Sequence, residues 1–238
     1  MKALLYKELK LALHPICIVF VLLFPLLTIV PSYPLAIGFV YVLSCYPILF
    51  LGANKGQQSN DLLFSTLLPV RKKDIVLARI FTVILLQLTF MAIMSALYPI
   101  SSYIQGEMLA KEIADKIAAG KTMEEIGVLT SGFGFESFTA VLGFAIIGFS
   151  VADIVFFPIY YKHGRSIVAS TLLTILGFLA YLGIFTIALP LLSPAYMSFF
   201  KDNIWIQIGF LVVSLFISAG MHFLVYKIAS KNLEKVDF

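Results

Sequence analysis

Charge is scarce in this chain. Asp, Glu, Lys and Arg make up 13% of its 238 residues, against roughly a quarter in an average soluble domain, while 61% are apolar and the mean hydropathy is +1.00. The apolar residues fall in runs close to the ~20 residues that cross a bilayer core of about 30 Å. Composition therefore points to a polytopic membrane protein. A net charge of +4 would suggest nucleic acid in a soluble chain, but here the basic residues collect in the segments between apolar runs and form no binding face.

Metal-ligating and nucleophilic residues are just as sparse. Cys17 and Cys45 lie within apolar runs with no Cys-x-x-Cys spacing, which excludes a disulfide framework and a thiolate metal site and leaves two small buried hydrophobes. His14, His163 and His222 are scattered, with no His-x-x-x-His pair and no carboxylate at ligand spacing. Ala119-Gly120-Lys121-Thr122 ends like a phosphate-binding loop, but Asp115 stands where that motif needs its first glycine. Glu124-Glu125 lacks the arginine of a Glu-Glu-x-x-x-Arg protease motif, Leu129 holding that position. The basic start followed by an apolar run has no small-x-small cleavage site and leads into a second run, so it is not taken as a signal peptide. No catalytic residue, metal site or cofactor site is expected in this chain.

What is present is an all-α pattern of six apolar spans, at 15–30, 35–53, 75–104, 137–159, 167–192 and 204–228, in a single transmembrane domain covering 1–238. Before them, residues 1–14 put Leu5, Leu9 and Leu13 on one stripe with Lys7 and Lys10 turned away, the pattern of an amphipathic elbow helix at the headgroup boundary. Residues 105–136 form the largest polar block, with Glu107/Lys111 and Glu112/Lys116 spaced i,i+4 and Gly120 as a stop. Thr122-Met123-Glu124-Glu125 then has the form of a capping box, so two short helices are expected there.

Orientation follows from the Lys and Arg residues. With a cytoplasmic N-terminus, the inner side holds thirteen of the 17 (Lys2, Lys7, Lys10, Lys55, Arg71, Lys72, Lys73, Arg79, Lys162, Arg165, Lys227, Lys231, Lys235), leaving Lys111, Lys116, Lys121 and Lys201 outside. Both termini, the 54–74 segment and the 160–165 turn are thus expected inside a plasma membrane, and 105–136 outside.

One inner segment is too short to span. Residues 61–68 rise only about 12 Å as a helix, and charges flank them on both sides. Leu63 with Leu67 and Phe64 with Leu68 are four apart, so a helix capped by Asp61 and stopped before Pro69 shows apolar side chains on more than one face. A groove on a partner protein, with Asn60, Arg71, Lys72 and Asp74 at its polar rim, suits such a helix. Within the spans, Asp153 is the one acid. An acid there is costly in hydrocarbon and is a functional candidate, as a gate or proton relay, or a structural ion pair with Arg79, Lys162 or Arg165.

The opening Met1-Lys2-Ala3-Leu4-Leu5-Tyr6-Lys7-Glu8-Leu9-Lys10 and the run Leu67-Leu68-Pro69-Val70-Arg71-Lys72-Lys73-Asp74-Ile75-Val76-Leu77-Ala78-Arg79 resemble the permease subunits of type-2 ABC exporters, especially the half-size six-span permeases of Gram-positive bacteria. This resemblance implies a permease with no ATPase of its own. ATP and Mg would be bound by a separate cytosolic ABC ATPase subunit, and the permease would pair with itself or a similar permease within the lipid bilayer. It further implies that Asn60, Asp61, Leu62, Leu63, Phe64, Leu67, Leu68, Pro69, Arg71, Lys72 and Asp74 form the ATPase-coupling helix and its rim, and that Tyr161, Lys162, Gly164 and Arg165 form a second cytosolic contact. The implied function is export of an amphipathic or hydrophobic substrate such as a peptide, toxin or antibiotic. Two alternatives stand beside it, an ion-coupled secondary transporter using Asp153 and a non-transporting structural or immunity protein. The outer bulk between spans three and four, with a short link between five and six, departs from the family pattern.

Overall fold

The computed structural model describes residues 2–12, 21–22, 26, 69–119, 138–163, 167–184 and 203–235. Within them the chain is helical, with no strand among the described residues: α1 (Lys2–Ala12), α2 (Lys72–Ala118), α3 (Phe138–His163), α4 (Ile167–Gly183) and α5 (Ile204–Glu234). Helices α2, α3 and α5 are long and apolar enough to cross a membrane, and α4 is a shorter apolar helix. Most of the expected first two spans, the 60–68 segment, the 120–137 block, Gly164, Arg165 and the end of the fifth span lie outside the described residues.

Each start has a local cause. Asn203 caps α5, its Oδ1 accepting from the backbone N–H of Trp205 at 3.0 Å and of Ile206 at 3.4 Å. Helix α2 begins after Arg71, with Asp74 in the first turn, where a negative charge meets the positive end of the helix dipole; Arg71 also pairs with that carboxylate at 3.2 Å. The helix does not stop near 104. It runs through Pro99 to Ala118 as one element of 47 residues, about 70 Å long and so far longer than a bilayer core. Packing outweighs the lost proline N–H, because Tyr98 stacks on Phe138 with ring centroids 4.2 Å apart. Beyond that pair Gly106, Glu107, Met108, Ala110 and Lys111 are exposed, as on a shaft projecting from the bundle.

The core sits between α2, α3 and α5. Helices α2 and α3 run antiparallel in one register: Arg79 meets Tyr160, Gln87 meets Asp153, Phe90 meets Phe149 and Tyr98 meets Phe138. Helix α5 runs parallel to α3, with Ser150 against Ser218, Asp153 against His222 and the Asn232 amide donating to the Pro158 carbonyl. The end where α2 begins and α3 and α5 finish, closed by Lys73–Glu234 at 3.3 Å, is the basal end; the other is distal. Val76, Ile80, Val83, Phe90, Phe149, Phe156, Phe157 and Val225 fill the space between.

Two glycines set the approach distances. A Cβ at Gly148 would lie 2.9 Å from Phe178 and 3.0 Å from Tyr181 on α4, and one at Gly143 would lie 2.8 Å from the Phe210 ring on α5. Gly148→Ala is therefore expected to lower stability by about 1–3 kcal/mol through overpacking. Gly106→Ala, on the exposed shaft with nothing within 4 Å, is expected to raise it by up to ~1 kcal/mol through helix propensity. Thermal unfolding midpoints in detergent check both.

Candidate functional site

Two polar clusters interrupt the apolar core, at two depths. The basal one ties three elements together. Glu8 on α1 is buried and accepts from Arg79 Nε at 3.3 Å, and Arg79 Nη1 donates to the Tyr160 hydroxyl at 3.1 Å. Lys7 lies 4.0 Å from the same Glu8 oxygen. Beneath them Leu4 packs with Ile75 and Ala78. The side of α1 turned to the protein is thus Leu4 and Glu8, one turn apart, with Leu5 and Leu9 only half-buried. Glu8 was not identifiable as a site residue from the amphipathic pattern, because a buried acid on an otherwise basic helix needs its partner, Arg79, to explain it.

The second cluster lies about two turns further into the bundle. Asp153 on α3 is completely buried, and its Oδ2 accepts from the Gln87 amide at 3.0 Å and lies 2.9 Å from His222 Nε2. His222 Nδ1 is 2.8 Å from the Ser218 carbonyl and 3.3 Å from the Ser218 hydroxyl. That hydroxyl is 2.7 Å from Ser150 Oγ, which also donates to the Ile146 carbonyl at 2.8 Å. One residue from α2 and one from α5 therefore converge on a single carboxylate oxygen of α3.

Hydrogen bookkeeping fixes the state of this cluster. A carbonyl only accepts, so the 2.8 Å contact requires the hydrogen on Nδ1. Nε2 and Oδ2 at 2.9 Å then need a proton between them, whether it is counted to the imidazolium or to the carboxylic acid. Either way the pair as a whole is neutral, which suits the burial of the Asp153 carboxyl.

Sequence-predicted residues divide accordingly. Asp153 is bonded to Gln87 and His222, while Arg79 is bonded to Glu8 and Tyr160. Tyr161 is buried beside Arg79, stacked with Phe157, and Lys162 is exposed at the basal end of α3. Arg71, Lys72 and Asp74 open α2, with Pro69 just before them. Asn60, Asp61, Leu62, Leu63, Phe64, Leu67, Leu68, Gly164 and Arg165 lie outside the described residues. His222, Gln87, Ser150 and Ser218 were missed. The available signal was that Gln87 and His222 are polar residues inside apolar runs, at depths matching Asp153. Among the described residues no group of three or more His, Cys, Asp or Glu is placed to hold a metal ion.

Fold and site together describe an all-helical protein whose long apolar helices are compatible with membrane insertion and whose interior holds a neutral ionisable pair. Compared with known proteins, the chain matches no family model, no curated protein and no solved structure.

Removing one partner of the pair strands the others. Asp153→Ala is expected to cost about 3 kcal/mol or more, whereas Asp153→Leu combined with His222→Leu costs much less than the two single changes added together. Unfolding midpoints of the three variants in detergent check this; simple additivity would mean that the pair is not coupled.

Proposed function

We propose that the chain is the permease subunit of an ATP-driven exporter, coupled to a separate cytosolic ATPase and carrying an amphipathic or hydrophobic substrate. The observation that carries the reading is the basal tie from Glu8 through Arg79 to Tyr160. It joins the first turns of α2, where the proposed coupling set ends at Lys72 and Asp74, to the end of α3, which carries Tyr161 and Lys162 of the proposed second contact. The amphipathic α1 is held by the same bonds. Movement delivered to either contact would therefore reach α2, α3 and α1 as one body, as a permease without its own motor requires. The long α2 would carry that movement from the basal end to the distal shaft. In this reading two permeases form the path, both termini are cytoplasmic and ATP and Mg stay on the partner.

An ion-driven carrier working through Asp153 is the second reading. It is favoured by the burial of that carboxylate against His222 and Gln87, and it requires cargo movement driven by an ion gradient with no ATPase.

Solubilising the protein from its native host and identifying what co-purifies separates the two. A soluble ATPase recovered with the unmodified chain and lost with Leu63→Asp plus Leu67→Asp is the expected result. A stable, folded protein that emerges alone in both cases would overturn the permease reading.

A further inference from the structure

Helix α5 has two unlike faces. Ser214, Val225, Ala229 and Leu233 are buried against the bundle. On the opposite side Val213, Phe216, Gly220, Leu224, Lys227 and Lys231, spaced three or four residues apart, are all exposed. This outward stripe is apolar as far as Leu224 and basic from Lys227 on, and Lys235, the C-cap of the helix, adds a third lysine one turn beyond Lys231. At Gly220 an added Cβ would meet nothing within 4 Å, so the stripe is shallow between Phe216 and Leu224.

Depth puts the change of character at a bilayer boundary. Trp205, exposed in the first turn of α5, is of the residue type that settles where lipid meets water. From Trp205 to Lys227 the helix rises about 33 Å, close to the ~30 Å of a hydrocarbon core. Lys231 is one turn, about 6 Å, further on and so within the headgroup layer. Any one of these lysines would anchor the helix end; a series of them at one-turn spacing, directly above an open apolar stripe, makes a cationic cluster of headgroup size.

The basal acids are already matched. Glu234, the one acid of α5, pairs with Lys73 at 3.3 Å, Asp74 with Arg71 and Glu8 with Arg79. No acid among the described residues forms an ion pair with Lys227, Lys231 or Lys235. The distal part of α5, before Lys227, has no lysine or arginine. Lys162 also stands at the basal end, but no described residue of α3 before it is exposed, so that helix offers nothing for an acyl chain to lie against.

We propose that the outward face of α5 binds an anionic phospholipid of the basal leaflet, with Lys227 and Lys231 holding the headgroup phosphate and an acyl chain lying along Leu224, Gly220 and Phe216. The site requires that α5 be inserted in a bilayer and is independent of any ATPase partner. Residues one turn apart on a helix have Cβ atoms about 5–6 Å apart, and the flexible lysine stems bring both ammonium groups to one phosphate as point charges. A zwitterionic lipid carries its own cation to the same place and is disfavoured. In the distal leaflet α5 has no cation for a headgroup, so binding is one-sided.

The test uses the full chain with Trp205→Phe and Leu224→Trp, which moves the only tryptophan into the proposed acyl track. In vesicles of mixed phosphatidylglycerol and phosphatidylcholine, with the chains of one lipid or the other brominated, quenching of the tryptophan gives the ratio in which the two lipids bind beside it. A preference of about 30-fold for phosphatidylglycerol is expected, roughly fivefold per lysine, and Lys227→Gln with Lys231→Gln is expected to bring it close to one. The parent chain, whose Trp205 reports the distal end, is expected to show no preference. A ratio near one with both lysines present would overturn the site, as would an equal preference at both tryptophan positions. A probe that neither lipid quenches would overturn it in favour of a protein surface, such as a second copy of the chain, covering this face. Loss of the preference to inorganic phosphate, compared with chloride at equal ionic strength, would overturn the lipid in favour of a free phosphate. The deciding ratio is read with both lysines in place, so it does not depend on how the lysine variants fold.

Discussion

A carboxylate placed where no water reaches must find hydrogen-bond donors and a compensating charge inside the protein, and Asp153 sets that condition for the whole bundle. Its one oxygen draws Gln87 from α2 and His222 from α5 to the same depth. That depth fixes the register of three helices at once, because sliding any of them by a turn would separate the donors from the acid and leave buried polar groups unmatched. The aromatic contacts above and below, Phe90 on Phe149 and Tyr98 on Phe138, fall into the same antiparallel register and add area to it. Apolar packing alone specifies position weakly in a bundle of Leu, Ile, Val and Phe. The polar cluster supplies the missing specificity.

The basal cluster works on the same principle at the boundary. Glu8, Arg79 and Tyr160 bind α1 to the beginning of α2 and the end of α3, where the chain carries its basic residues Arg71, Lys72, Lys73 and Lys162. Between the two clusters lies an apolar layer about two turns thick, with Phe156 stacked on Tyr160 and Phe157 on Tyr161. A charge at either level is therefore poorly screened by the other's counter-ions, and each cluster has to balance itself. Each does so with its own acid and its own basic partner, Glu8 with Arg79 and Asp153 with His222.

Local signals carried much of the fold. Helix α5 begins at 204, where the apolar run begins, because hydrophobic length and flanking polarity are properties of contiguous sequence. Asn203 before an apolar run marks the start of α5 without reference to any other element. Where local rules failed, packing had overruled them. The polar block after Ile104 marks the end of the apolar span, yet α2 continues to Ala118 as one helix, with Tyr98 seated on Phe138 at Pro99. On α1 Leu4 and Glu8 face the protein because Ile75, Ala78 and Arg79 are there to receive them, a side that the stripe of Leu5, Leu9 and Leu13 does not record.

By itself, then, the sequence determined that this is an apolar, helical chain with spans long enough for a bilayer, one acid buried among them and basic residues gathered in a few segments. Those are matters of composition and of neighbours along the chain. The tertiary structure decided that Asp153 meets His222 and Gln87 and that Arg79 meets Glu8 and Tyr160. Partners 66 to 81 residues apart in the two main clusters are set by the register between helices, and register depends on how whole faces pack, which no single helix's periodicity records.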